Sequence, residues 1–300
     1  MRELELIAFA KENQIAVLQN EPMREHTTFR IGGPAKLFAT VNEEQLALLI
    51  RKAEELYIPY IVVGNGSNLL VSDAGYPGLI IKIADAPVRM LDSCTLEASA
   101  GTSLARLAVA AADAGLTGLE FAHGIPGTVG GAVMMNAGAY EGQISDVLVS
   151  SCCYDGAERQ FLKLEKDAHL FTYRHSSYME HPCRVVTSAI FRLQPGNKDA
   201  IRAKMSELNS RRREKQPLEF PSAGSTFKRP EGYFAGKLIE DCGLKGYRIG
   251  GAQVSEKHAG FVINAGGATC QDVVQLMEYI EQQVYQRFAI RLEREVRVIE

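Results

Sequence analysis

The apolar positions of the chain follow two periods. Residues 3–19 place Leu4, Ile7, Ala8, Ile15 and Leu18 at roughly helical spacing and predict a helix. Asn42 with Gln45 has the form of a capping box. It opens a helix to about Tyr57 that buries Leu46, Leu49, Ile50 and Ala53. Gly101-Thr102-Ser103 caps an Ala-rich helix over 104–114, which Gly115 ends. A charged helix over 198–215 turns Ile201, Met205 and Leu208 to one face, and a short helix follows over 235–241. Thr269 with Asp272 starts the last long helix, with Val273, Val274, Met277, Ile280, Val284 and Phe288 on its apolar face. Between the helices, strands are predicted over 36–41, 59–63, 69–71, 79–83, 95–100, 183–194, 248–254 and 260–264, and in the alternating run from Ile290. Residues from Asp146 predict a hairpin with Asp155-Gly156 at its turn.

Two stretches follow neither period. GIPGTVGGAVMMNAGAY (124–140) carries Gly124, Gly127, Gly130, Gly131 and Gly138 among small apolar residues. GNGSNLL (64–70) directly follows a predicted strand. Such density lets backbone approach a partner closely and turn its N–H groups outward. A tightly packed buried loop is one reading of the first stretch. The second stretch favours another, a large phosphate-bearing cofactor held by both. The dinucleotide fingerprint does not apply, because Leu69 stands at the third glycine and a strand rather than a helix follows.

Composition narrows the classes. The 300 residues allow two or three domains. A net charge of −3 gives no global electrostatic case for nucleic acid or membrane as a partner. No apolar run reaches the ~18 residues that span a bilayer. Glu3 and Glu5 stand where a signal peptide would have an apolar core, so a cytoplasmic protein is expected. Cys94, Cys152, Cys153, Cys183, Cys242 and Cys270 include no C-x-x-C pair and read as free thiols, with a reactive cysteine the minor alternative. No metal-ligand motif occurs, and no metal is expected.

Three polar residues stand out: Arg174 in a Tyr-Arg-His-Ser loop, Ser225 in the long loop 216–230, and Glu295 framed by Val296 and Val298. Alone each is weak, since loop serines are common turn residues and no G-x-S-x-G elbow surrounds Ser225. The basic run Arg211, Arg212, Arg213 and Lys215 suits a helix C-terminus, with contact to an anionic ligand the alternative.

The motifs TTFRIGGPA (27–35), GNGSNLLVSD (64–73), the glycine stretch from Gly124, YRHS (173–176), AGSTFKRP (223–230) and LEREVRVIE (292–300) occur in one order along nearly the whole chain. In this combination the chain resembles the UDP-N-acetylenolpyruvoylglucosamine reductases, in their shorter form, since the region 173–195 leaves no room for a large insertion.

The resemblance implies an α+β chain with a vanillyl-alcohol-oxidase/PCMH-type FAD-binding fold in two subdomains, 1–83 and 84–197, plus a C-terminal α+β domain, 198–300, for a UDP-sugar. Non-covalent FAD would lie on Gly64, Asn65, Gly66, Ser67, Asn68, Leu69, Gly127, Thr128, Gly130, Gly131 and Ala132. His26 and His123 are then structural or neighbours of the cofactor. NADPH is the implied co-substrate and UDP-N-acetylglucosamine enolpyruvate the implied substrate, in cytoplasmic peptidoglycan precursor synthesis. Arg174 and Glu295, the latter protonated or through a water, would stabilise an enolate-like species, and Ser225 would protonate it. Tyr173, Lys228, Lys237, Lys245 and Gln253 are the implied substrate contacts, and the lysines read equally well as solvated surface. A flavin oxidase of the same fold would not need the Ser225 and Glu295 motifs. A non-catalytic flavin-binding regulator predicts loss of at least one of Arg174, Ser225 and Glu295.

Overall fold

In a computed structural model that describes all 300 residues, the first helix, α1 (Arg2–Glu12), stops well before the predicted end at 19. Gln14 takes a left-handed φ of 58° and the chain turns into the strand Val17–Pro22. Only Leu6 and Ala10 anchor α1, while Leu4 and Leu18, both assigned to the apolar face, are exposed. The remaining helices are α2 (Glu43–Glu55), α3 (Leu104–Ala114), α4 (Val129–Met135), α5 (Ile144–Val147), α6 (Lys198–Lys215), α7 (Ala235–Asp241) and α8 (Cys270–Phe288). All but α4 and α5 fall where the pattern places them; α4 lies inside the glycine stretch, whose small residues show no helical period, and α5 is a single turn.

Local chemistry sets these boundaries. The Asn42/Gln45 box closes in both directions on α2. The Ser103 hydroxyl accepts from the Arg106 N–H at the start of α3, and Gly115 ends it in the left-handed conformation. The Thr269/Asp272 box opens α8.

The chain forms two compact units. The first comprises Met1–Leu18, Leu37–Gly64 and Gly78–Arg211. Its four-stranded sheet runs in the order Val17–Pro22, Pro34–Val41, Tyr76–Ile83, Tyr60–Val63, and three of these strands carry the chain across the unit boundary. Tyr60–Val63 pairs in parallel with Tyr76–Ile83, so Val63 meets Lys82 and Gly64 follows at a strand's carboxyl end. Its second sheet is antiparallel, ordered Gln160–Glu165, Leu148–Asp155, Arg184–Arg192, Thr95–Ser99, Arg89–Met90. The hairpin turn is longer than the predicted Asp155-Gly156, because Asp155 still pairs with Gln160. The Asp155 carboxylate accepts from the Ala157 and Glu158 N–H groups and pairs with Arg184. One apolar core joins Leu46, Leu49 and Ile81 to Leu104, Val133, Ile144 and Phe191.

The second unit comprises Gln19–Lys36, Asn65–Pro77 and Arg212–Glu300. The strand predicted over 248–254 is a hairpin, Arg248–Ile249 with Ala252–Val254, broken at Gly250 with φ 53°. An added Cβ at Gly250 would stand 2.3 Å from the Asp272 carboxylate. Val262–Asn264 completes this small sheet. The terminal strand is shorter than the alternation from Ile290 suggests. Only Arg297–Ile299 is ladder-paired, in parallel with Leu69–Val71. Val273, Leu276, Met277, Ile280 and Val284 of α8 pack with Phe29, Leu70, Phe227 and Val296 in this unit's core.

Candidate active site

In the first unit, the glycine stretch is built around Thr128. Its hydroxyl accepts from the Gly131 N–H as the N-cap of α4. The Val129 and Gly130 N–H groups donate to the carbonyls of Thr102 and Ala100, and Gly127 accepts from Leu104. A Cβ on Gly130 would come within 2.8 Å of the Ala100 Cβ, so this glycine serves close packing. A Cβ on Gly64 would stand 2.3 Å from the Thr128 hydroxyl. Gly64 and Thr128 are therefore in contact, and the first residue of one predicted FAD loop lies on the other. At Gly131 an added Cβ would meet only Thr128, at 3.6 Å, which leaves that face of the backbone without a covering side chain. Ala132 is buried behind it.

The other end of α4 holds the Arg174 loop. Asn136 ends the helix in the left-handed conformation and is almost fully buried. Its side-chain amide donates to the Thr172 carbonyl at 3.1 Å, and the Ser176 hydroxyl donates to Met134 at 2.7 Å. Thr172 and His175 exchange backbone hydrogen bonds, so Tyr173 and Arg174 form the corner of a tight turn. Arg174 has φ 56°, and its guanidinium reaches the Gly138 carbonyl at 3.1 Å and lies 5.0 Å from the Tyr173 ring centroid. A non-glycine residue in that conformation is held there at a cost, which is common where a side chain has work to do.

In the second unit, residues 65–69 of the GNGSN loop join the segments that carry Ser225 and Glu295. Gly66 has φ 62°, and a Cβ there would overlap the His26 carbonyl at 2.2 Å, so only glycine fits. The Asn68 amide donates to the Glu295 carbonyl at 3.0 Å, and the Asn68 carbonyl accepts from the Arg297 N–H at 3.0 Å. Leu69 pairs with Arg297. The Glu295 N–H donates to the carbonyl of Thr226, next to Ser225. Thr226 is buried and its hydroxyl accepts from the Val262 N–H, while Ser225 is exposed and follows Gly224 at φ 77°. Ser225, Glu295 and residues 65–69 thus share one unit, and Arg174, Gly64, Gly127, Thr128, Gly130, Gly131 and Ala132 the other.

The predicted substrate contacts of the second unit carry acidic or backbone partners. Lys228 pairs with Glu293, Lys237 with Asp241, and Lys245 with Glu240 at 2.8 Å. The Gln253 amide donates to Gly246 at 3.3 Å. The basic end of α6 is partly explained by structure. Arg211 lies 5.0 Å over the Tyr140 ring and pairs with Glu207, and Lys257 donates to the Arg213 carbonyl at the helix end.

The histidines and thiols have local roles. His26 meets Glu21 at 2.8 Å, and His123 meets the Asn209 amide at 2.6 Å. All six cysteines are free, and burial pushes the thiol of Cys153 up and that of Cys270 to about 11, which disfavours the thiolate at both. No group of three or more His, Cys, Asp or Glu side chains is arranged to hold a metal.

Asp73, which closes the GNGSNLLVSD motif, has a structural task that its sequence position does not signal. Its carboxylate accepts from the Cys270 and Gln271 N–H groups at 2.8 and 3.1 Å and so caps α8. Asn136 is likewise silent in sequence, because an Asn in a Met-Asn-Ala-Gly run has no local signal for a contact at Thr172.

The glycine cradle of the first unit, with backbone left uncovered at Gly131 and a side chain excluded at Gly64, fits a pyrophosphate-bearing cofactor. A family model described as an FAD binding domain matches residues 34–157. The chain is thus a flavin-dependent oxidoreductase with FAD as its cofactor. A second model, described as the C-terminal domain of UDP-N-acetylenolpyruvoylglucosamine reductase, matches residues 216–299. The UDP-N-acetylenolpyruvoylglucosamine reductase of Agathobacter rectalis is 50% identical over 299 residues, covering 95% of both chains. The protein of that name from Caldanaerobacter subterraneus subsp. tengcongensis is 48% identical over 281 residues, covering 93% of this chain and 92% of the relative. The crystal structure of UDP-N-acetylenolpyruvylglucosamine reductase (MurB) from Thermus caldophilus superposes with a TM-score of 0.79 at 36% identity, covering 95% of this chain and 99% of that one. The chain belongs to the UDP-N-acetylenolpyruvoylglucosamine reductase family.

Proposed function

We propose that the protein reduces UDP-N-acetylglucosamine enolpyruvate to UDP-N-acetylmuramate with NADPH, in cytoplasmic peptidoglycan precursor synthesis. The observation that carries this reading is the 50% identity to a reductase of that name over 95% of both chains. Neither nucleic acid nor membrane is a partner on this reading, and no helix is long and apolar enough to cross a membrane. The division of labour follows residues 1–83 and 84–197 for FAD and 198–300 for the UDP-sugar. Family-model bounds of 34–157 and 216–299 are compatible with it.

FAD, when bound, supplies a hydride relay between NADPH and the substrate's vinyl carbon. Gly64, Asn65, Gly66, Ser67, Asn68, Leu69, Gly127, Thr128, Gly130, Gly131 and Ala132 hold it, mainly through backbone. Arg174 and Glu295 stabilise the negative charge that builds on the substrate carbon and its carboxylate. Ser225 gives that carbon its proton. Its exposure beside buried Thr226 supports this role, since the residue lies outside the unit's core. An enolate-like carbon is basic enough to take a proton from a serine hydroxyl. Tyr173, Lys228, Lys237, Lys245 and Gln253 contact the UDP-sugar. The lysines' present carboxylate partners are surface pairs worth little, so exchange for a diphosphate costs little.

A two-step anaerobic flavin titration tests the reading. The yellow holoenzyme bleaches with NADPH and recovers its colour only on addition of the enolpyruvyl UDP-sugar. Recovery by oxygen alone at a comparable rate would assign an oxidase instead, and a colourless protein without flavin affinity would remove both readings.

A further inference from the structure

The segment that carries Arg174 is closed at its base by a buried network outside the site described above. The Ser151 hydroxyl, on the strand Leu148–Asp155, meets His169 Nε2 at 2.7 Å and the Tyr178 hydroxyl at 2.7 Å. Ser151 and Tyr178 are 1% exposed and His169 is fully buried. His169 precedes the Tyr173-Arg174 turn and Tyr178 follows it, so one hydroxyl ties the two ends of the loop together.

The proton order follows from the partners. His169 Nδ1 faces the carbonyls of Glu165 and Lys166 at 3.0 and 3.1 Å, so Nδ1 carries the hydrogen. Nε2 is then an acceptor, and the single Ser151 hydrogen goes to it. Tyr178 therefore donates to the remaining lone pair of Ser151. The Ser151 and Tyr178 hydroxyls and both His169 ring nitrogens thus have partners, which is the condition under which a buried network rigidifies its surroundings. Two further contacts pass this rigidity on. The Phe171 ring stacks on His169 at 4.9 Å and 9°, and the Ser177 hydroxyl donates to the Ala168 carbonyl at 2.9 Å.

Arg174 needs such support, because its left-handed backbone is disfavoured unless its surroundings impose it. Bonds from Asn136 and Ser176 hold the loop toward α4, and the Ser151 network holds its base. We propose that Ser151, His169 and Tyr178 form a clamp that positions Arg174 for the second half-reaction. They are positioning residues and touch neither substrate nor cofactor. The proposal rests on the reading of Arg174 given above.

The test is a double-mutant cycle on the holoenzyme, with the two half-reactions measured by anaerobic stopped flow. Ser151→Ala is expected to slow reoxidation by the enolpyruvyl substrate about tenfold, the loss of one hydrogen bond's worth of alignment. It leaves flavin reduction by NADPH within about twofold. In an Arg174→Ala background the same change has no further effect. Tyr178→Phe, which keeps the ring and removes one oxygen, gives the same pattern should Ser151→Ala fold poorly. An equal slowing of both half-reactions, or the same factor with and without Arg174, overturns the clamp while Arg174 keeps its role. If Arg174→Ala reoxidises at the wild-type rate, the role of Arg174 falls and the clamp with it.

Discussion

The side-chain amide of Asn68 donates to the main-chain carbonyl of Glu295 at 3.0 Å, across 227 residues of sequence. The Asn68 carbonyl accepts in turn from Arg297, so one loop residue grips the backbone on both sides of Val296. A residue proposed to hold the cofactor is thereby fixed to the segment of a residue proposed to act on the substrate. Flavin binding and placement of Glu295 are expected to depend on one another.

Asn68→Asp should therefore harm the enzyme more than Asn68→Ala. Alanine removes one neutral hydrogen bond, worth about 1 kcal/mol. Aspartate sets an acceptor against the Glu295 carbonyl and adds negative charge where a pyrophosphate is to bind. Flavin fluorescence titrations should give an FAD Kd at least about tenfold weaker for the aspartate than for the alanine variant. Equal affinities would show that Asn68 neither faces the phosphates nor needs its donor.

Ser225→Ala should separate the half-reactions. In its proposed role Ser225 enters only after hydride has reached the substrate, so bleaching by NADPH stays near the wild-type rate. Reoxidation by the enolpyruvyl sugar falls by at least about 100-fold, the scale of a positioned proton donor. Stopped-flow absorbance of the flavin reads both steps. Comparable losses in both would make the serine a structural part of the loop after Gly224.

Arg174 offers a test in which stability and activity separate. Its φ of 56° suits glycine, so Arg174→Gly should be more stable than Arg174→Ala by about 1 kcal/mol. Both should lose most of the second half-reaction. Chemical denaturation alongside kinetics checks this. An Arg174→Gly variant no more stable than Arg174→Ala would mean the turn is not strained.

The sequence showed best what neighbours in the chain decide. The capping boxes at Asn42/Gln45 and Thr269/Asp272, and the left-handed end at Gly115, are set within a few residues and formed as expected. α1 ran short because its apolar spacing continued past Asn13, where the backbone turned. Asp73 at the start of α8, the pairing of Leu69–Val71 with Arg297–Ile299, and the Ser151 network were not legible. Each joins segments far apart in sequence, and periodicity says nothing about partners at that separation. Arg174, Ser225 and Glu295 stood out only as weak polar exceptions. The order of motifs, which is a property of the whole chain, gave them roles.

Gly66→Ala tests whether the glycine is needed for shape. Its Cβ would lie 2.2 Å from the His26 carbonyl and 2.8 Å from the Thr27 Cα, at φ 62°. Backbone atoms on both sides leave nothing flexible to yield. The variant should lose about 2 to 3 kcal/mol of stability and purify with little flavin. A thermal midpoint within 1 °C or so of wild type, at full flavin content, would place the loop differently.

Burial holds the imidazole of His169 below the usual histidine range, and its hydrogen bonds to the Glu165 and Lys166 carbonyls and the charge of Glu165 oppose that only in part. Ser151, Tyr178 and the Phe171 ring face it from the other sides and carry no charge at neutral pH. An unfolded chain protonates this histidine near pH 6.5, whereas the fold resists until lower pH. The stabilisation from a neutral His169 is thus complete above about pH 6.5 and is lost as pH falls toward the folded value. His258 in the second unit, also lowered by burial, acts in the same window. Asp155 and Asp272 are held below the ordinary carboxylate range, so their contributions persist through this window and fade only at stronger acidity. Between pH 7.5 and 5 the thermal midpoint should therefore fall, and His169→Gln should flatten part of that fall while starting from a lower midpoint at pH 7.5. Protonation also removes the acceptor for the Ser151 hydrogen, so reoxidation by substrate should weaken in the wild type over the same range. A His169→Gln variant with the wild-type pH slope in both measurements would show that this imidazole stays neutral throughout, or that it supports neither the fold nor the Arg174 turn.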